Sequence, residues 1–137
     1  MRQALLLICL LMAAASAAGA GNRRDVSLEP LPPGQVQGVL GRKVEGMNGK
    51  VMGPVVDVLV DALGRPRAAV IDFGGYLGVG TRRIAIDWRL LSRWRGRRGA
   101  PLLLRLRRVD IQAAPQYKPK NGKPIEIVGP AHERHRE

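Results

Sequence analysis

Thiols, imidazoles and hydroxyls are scarce in this sequence. Its single cysteine, Cys9, lies in an N-terminal apolar run, and beyond residue 20 the only serine and threonine side chains are Ser27, Thr81 and Ser92. Both histidines, His132 and His135, stand close to the end of the sequence. A Ser-His or Cys-His pair would therefore need that end to fold back over the core, and no enzyme of this kind is expected. Aromatic residues make up 4% of the chain. Phe73, Tyr76, Trp88, Trp94 and Tyr117 cannot both fill a core and supply a platform for stacking bases, which argues against nucleic acid. Acidic residues are few as well, 11 against 23 Lys and Arg, for a formal net charge of +12. Such an excess favours anionic partners without specifying a fold, and GC-rich coding produces the same wealth of Arg, Ala and Gly.

One apolar run stands out. Met1-Arg2-Gln3 gives a short positive start, residues 4–15 are uninterruptedly apolar, and Ser16-Ala17-Ala18-Gly19-Ala20 is a small-residue stretch. The pattern predicts a secretory signal over residues 1–20, cleaved between Ala20 and Gly21. Ile8, just before Cys9, is too large for a lipoprotein cleavage site. An uncleaved inner-membrane anchor is the alternative, because residues 4–21 approach the roughly 20 apolar residues that a span requires. Arg23-Arg24 beyond the run opposes an anchor with its N-terminus inside. The expected location is periplasmic or secreted, in a bacterial envelope, and the mature chain would face an oxidising compartment without a cysteine to form a disulfide.

Residues 21–37 carry Pro30, Pro32, Pro33 and Gly34 with scattered charge and read as a linker. From residue 38 the chain becomes strand-like. Residues 39–44 form a short strand, and Asn48-Gly49 marks a tight reversal into residues 51–60. Alternation there places Val56, Val58 and Val60 on one face and Val55, Asp57, Leu59 and Asp61 on the other. A turn at residues 61–66 leads to a third strand, 67–73, with Ala69, Ile71 and Phe73 sharing a face. A four-glycine loop then joins it to a fourth strand at 84–88.

A helical turn or irregular corner follows at 88–94, a basic turn at 95–99, a fifth strand at 101–106 and a short helix at 109–114. Pro115 stops that helix, since its ring disfavours helical angles in the preceding residue. Residues 118–137 are a polar tail in which only 125–128 look able to add an edge strand. Many short strands with glycine-rich turns indicate an all-β fold, a small, strongly bent antiparallel barrel.

The order of these pieces resembles the PRC-barrel domain family, found in the H subunit of photosynthetic reaction centres and at the C-terminal end of a ribosome-maturation factor. The matching segments are Gly41-Arg42-Lys43-Val44 with Asn48-Gly49, then Gly53-Pro54-Val55-Val56-Asp57-Val58-Leu59-Val60-Asp61 with Gly64-Arg65. Ala69 through Gly80, Ile84-Ala85-Ile86-Asp87-Trp88 and Ala113-Ala114-Pro115 complete the set, which spans residues 38–117. The resemblance implies a compact β-barrel that docks onto other macromolecules. It implies no catalytic residue and no cofactor.

Asp57, Asp61, Asp72 and Asp87 are acids of the kind that pair for acid/base work or hold a hard cation, yet each sits at or beside a turn, where aspartate accepts bonds from backbone amides. The glycines at 74–80 match no phosphate-binding pattern and join two strands rather than opening a helix. His132 and His135 are two ligands at a solvated end, and no metal site is expected.

The arginines are the better candidates. Arg82, Arg83, Arg89, Arg93, Arg95, Arg97, Arg98, Arg105, Arg107 and Arg108, with Trp94 among them, are dense enough to form an anion-docking side. They equally suit solvated turns and strand edges. Tyr76 and Leu77 are a second candidate contact, though a cap over the barrel's end is the expected role.

The sequence therefore predicts an exported, non-catalytic interaction module with a protein partner. The alternative is an electrostatic binder of anionic envelope lipid or polymer, and an envelope hydrolase or metal enzyme ranks last.

Overall fold

The structure, a computed structural model, describes residues 27–92, 99–119 and 122–130. The expected signal and its cleavage point, Arg93, Trp94, Arg95, Arg97, Arg98, and both histidines lie outside the described residues. The chain divides into two compact units, Met1–Pro32 and Pro33–Glu137. In the first, residues 27–32 are exposed and form no strand or helix.

The second unit is mostly sheet. Strand β1 (Lys43–Gly46) turns at Asn48-Gly49 into the long β2 (Val51–Val60), followed by β3 (Pro66–Asp72), a single helical turn α1 (Gly74–Leu77) and β4 (Arg83–Asp87). A 3-10 turn over Trp88–Leu90 leads to the two-residue β5 (Leu91–Ser92), and β6 (Leu102–Leu104) and helix α2 (Arg108–Ala113) complete the order. β-Branched residues at alternate positions suit the pleat, and polar turns supply the reversals. In the first turn Asn48 Oδ1 accepts the Lys50 amide at 3.1 Å. In the second, Asp61 Oδ1 accepts from Leu63 and Arg65.

The strands form one curled sheet in the order β4-β3-β2-β1-β6-β5, a half-barrel whose end strands are β4 and β5. Its joins are antiparallel except one. Strand β1 runs parallel to β6, with Val44 opposite Leu102. The main core lies on one face of this sheet and includes Val44, Ile71, Phe73, Ile84, Ile86 and Leu104, all fully buried. Ala69, Ile71 and Phe73 share it, as the alternation predicts. A smaller cluster occupies the other face, where Ala68, Val70 and Ala85 pack with Leu59 and Tyr117. Strand β3 is thus buried on both faces, which accounts for its unbroken apolar run.

Strand β2 corrects the expected alternation. Val55 faces Ile71 on β3 while Asp57 faces Val70, so Val56 is an extra residue, a β-bulge. The bulge resets the period, and Val55 and Val58, assigned to opposite faces by strict alternation, both pack on the main core. A second difference concerns β1, which starts at Lys43 instead of residue 39. Residues 38–42 form a hook: the Gly41 amide donates to Val55 O at 2.7 Å, and Arg42 Nε donates to Gly38 O at 2.8 Å.

The third difference is α1, where a loop was expected. Gly74 approaches the Gly80 carbonyl so closely that a β-carbon would collide with it. Glycine is therefore required here for contact, and the helical turn it opens is hidden by its low helix propensity.

The chain beyond residue 115 also contributes. The Tyr117 amide donates to Arg83 O at 2.7 Å, the Val128 amide donates to Ala85 O at 2.9 Å, and Val128 O accepts from Asp87 at 2.8 Å. Of the run 125–128 expected as an edge strand, Val128 makes an isolated parallel bridge to Ile86. Its side chain packs on the main core while Tyr117 covers the opposite face, so this segment straddles the outer edge of β4.

Candidate interaction surface

Helix α2 is short, and its placement depends on arginines. Arg107 closes its first turn by a reciprocal contact with Asp110: its amide donates to Asp110 Oδ2 at 3.2 Å and its guanidinium holds both carboxylate oxygens at 2.9 Å. That pairing holds the Asp110 carboxyl below the usual carboxylate range and raises Arg107. At the other end Arg82 Nη2 donates to Ala114 O at 2.7 Å and to Gln112 O at 3.4 Å. A cation at the last carbonyls of a helix is favourable electrostatically as well as by hydrogen bonding. Ile111 is buried beneath the helix, and Val109, two positions away and so nearly on the opposite side, is 56% exposed.

Between these anchors lies Arg108. Its guanidinium carbon stands 4.9 Å from the centroid of the Tyr76 ring, and Nη1 donates to Tyr76 O at 3.1 Å. Tyr76 and Leu77 are half-buried and pack on the main core. Of the candidate arginines singled out in the sequence, Arg108 therefore meets the other candidate contact, Tyr76. Val79, which follows α1 and whose amide donates to Gly74 O, is 53% exposed. Neither Val79 nor Val109 stood out in the sequence. The signal available was the buried Ile111, which obliges Val109 to face away.

The remaining described arginines are dispersed. Arg89 donates to both oxygens of Asp87, at 3.0 and 2.8 Å, and belongs to the 3-10 turn. Its hydrogen bonds lower the Asp87 carboxyl, an effect partly offset by burial, and the same pairing raises Arg89. Arg83 is exposed at the start of β4, opposite Asp72. Arg105 is exposed just after β6. Among the described residues neither Arg83 nor Arg105 has an ion-pair partner.

The four aspartates do not converge on a common site. Asp57 Oδ1 accepts the Val58 amide at 2.8 Å. Asp61 binds its own turn and Arg65, and those bonds, led by the Arg65 amide, lower its carboxyl. Asp72 Oδ1 accepts from the Gly74 and Arg82 amides at 2.9 and 3.0 Å, joining the two ends of the glycine-rich loop. Asp87 caps the 3-10 turn through the Arg89 amide. Among the described residues no three His, Cys, Asp or Glu side chains are grouped so as to hold a metal ion.

Residues 37–98 match the family model of the PRC-barrel domain. This stretch is a PRC-barrel domain. The match takes in β1 to β5, the hook before them and α1, while β6, α2, Tyr117 and Val128 lie beyond it. The PRC barrel in this chain thus shares its main core with residues outside the matched stretch, since Leu104, Ile111 and Val128 pack there with Val44 and Ile71. A comparison with curated proteins gives no match.

Proposed function

We propose that this chain is an exported, non-catalytic PRC-barrel protein of a bacterial cell envelope, working as a protein–protein interaction module. Its contact surface is the corner where Arg108 lies over Tyr76. The observation that carries this reading is that convergence. A cation-capped aromatic, pinned by a hydrogen bond to its own carbonyl, sits with the exposed Val79 and Val109 close by in the chain. Aromatic and arginine side chains held in place lose little conformational freedom on binding and are enriched among residues that dominate interfaces. The N-terminal pattern of positive start, apolar run and small residues supports export.

Affinity capture from the native envelope fraction, at low and high salt, tests the reading. A stoichiometric protein partner that survives high salt and is lost on Tyr76→Ala or Val109→Asp supports it. Failure of both substitutions to weaken capture defeats it.

The second reading, an electrostatic binder of anionic lipid or polymer, is favoured by Arg83 and Arg105, which are exposed and have no ion-pair partner among the described residues. It requires binding to anionic vesicles or polymer that falls steeply with salt, in proportion to the charges engaged.

A further inference from the structure

Two arginines of this chain hold an aspartate in the same way. Arg89 Nε and Nη2 donate to Asp87 at 3.0 and 2.8 Å, and Arg107 Nε and Nη2 donate to Asp110, both at 2.9 Å. In each pair the guanidinium edge that carries Nε and Nη2 receives both carboxylate oxygens, the bidentate geometry that suits a planar anion. Arg108 offers the same edge unfilled. Its hydrogen bond runs from Nη1 to Tyr76 O, its guanidinium lies over the Tyr76 ring, and it joins no ion pair among the described residues. Asp110, two positions on, has both oxygens bound to Arg107 and is already committed. Arg83 and Arg105 lack an ion-pair partner as well, but among the described residues neither is oriented by a ring contact or a side-chain hydrogen bond.

We infer that Arg108 is the seat for one carboxylate, and that the partner of the Tyr76 corner is a protein segment carrying an aspartate or glutamate beside an apolar side chain. This rests on the interface proposed above and names what binds there. Charge complementarity holds at two scales. Locally the open fork matches a carboxylate, and across the chain 23 Lys and Arg against 11 acids favour the approach of an acidic partner. A guanidinium stacked on a ring and held by a carbonyl has lost much of its freedom before binding, so two bonds to a carboxylate form at little entropic cost. The surroundings decide against a polyanion or a lipid surface, which engages several open cations together. Of the other arginines that touch α2, Arg107 is paired with Asp110 and Arg82 is occupied by the Ala114 and Gln112 carbonyls. The residue that follows Arg108 is the exposed Val109. One oriented fork with an apolar neighbour suits one carboxylate with an apolar neighbour.

NMR titration of the purified protein with a short peptide holding one glutamate between two leucines, blocked at both ends, tests the inference. The same peptide with glutamine, the same peptide with phosphoserine, and phosphatidylglycerol vesicles are the comparisons. The expected result is a saturable downfield shift of the Arg108 Nε–H resonance and a shift of the Val109 amide, with the glutamine peptide binding about tenfold more weakly, the low end for bonds to a charged group. Arg108→Lys keeps the charge and loses the fork, so it should weaken the glutamate peptide about tenfold and leave vesicle binding unchanged. Arg105→Gln, which removes a charge that nothing orients, should change peptide binding by less than about twofold. Equal binding of the glutamate and glutamine peptides, an Arg108 resonance that does not move, or indifference to Arg108→Lys overturns the inference. So does a loss on Arg105→Gln as large as that on Arg108→Lys, or tighter binding of the phosphoserine peptide or the vesicles through Arg108. In capture from the native envelope fraction, a partner lost on both Tyr76→Ala and Arg108→Lys supports the inference. A partner lost on Tyr76→Ala and kept by Arg108→Lys overturns it while leaving the interface in place.

Discussion

Arg82 donates through Nη2 to the carbonyl of Ala114, at 2.7 Å, and thereby ties the start of β4 to the end of α2. Its Nε is buried without a hydrogen-bond partner among the described residues, so the guanidinium is held for those carbonyls at some cost. Arg82→Ala is expected to lower unfolding stability by about 1.5–3 kcal/mol, the range for hydrogen bonds from a charged donor. Arg82→Lys should recover only part of this, because an ammonium cannot span two carbonyls with the same planar geometry. Urea titration of the three proteins measures the difference.

Gly53 predicts a sharper loss. Its φ is +150°, and a β-carbon there would collide with the carbonyl of Asp72. Backbone atoms cannot yield as a flexible side chain can, so Gly53→Ala should cost about 3 kcal/mol or more and separate β2 from β3. A fall in the urea midpoint accompanied by loss of near-ultraviolet circular dichroism would mark it.

The C-terminal segment makes a third prediction. Val128 gives and accepts one backbone bond each on β4 and packs on the main core. Truncation after Lys118 removes both bonds and that packing, and should lower stability by about 1–3 kcal/mol. Hydrogen exchange should then quicken at the Asp87 amide, which would lose its acceptor, and leave the β2–β3 amides protected.

Acid should weaken the corner after β4. The Asp87 carboxyl is held below its ordinary value, chiefly by the Arg89 hydrogen bonds. A carboxyl lowered in the folded state contributes stability that is complete above its unfolded value, about pH 3.9, and is lost as pH falls through the folded value. Arg89 stays charged throughout and adds no pH dependence there. The melting temperature should therefore drop below about pH 4, with part of that drop absent in Asp87→Asn and part screened away by salt.

Most of the strand order could be read from residues close together in sequence. Asn48-Gly49 locates the first reversal, and the runs expected at 51–60, 67–73 and 84–88 match their strands to within a residue. What escaped depends on distant neighbours. Gly53-Pro54 suits an edge or a bulge near the start of the strand, but the bulge at Val56, which lets Val55 and Val58 both reach one core, is set by the packing. The parallel contact of β1 with β6 joins stretches whose own patterns carry no mark of each other. The candidate surface was legible as residue types and not as an arrangement. Arg82 and Arg108 appear as free charge in the sequence, whereas in the fold they hold backbone carbonyls at 2.7 and 3.1 Å.

Val44 sits beside Leu102, and that seam orders events in time. A chain emerging from synthesis can assemble the β2-β3-β4 meander from its own neighbours, but β1 must wait with one flank bare until β6 has arrived. Joining residues so far apart is the slow step in sheet assembly. A nascent molecule would therefore spend its vulnerable interval with β1 unprotected, the stage at which a holding chaperone would matter most.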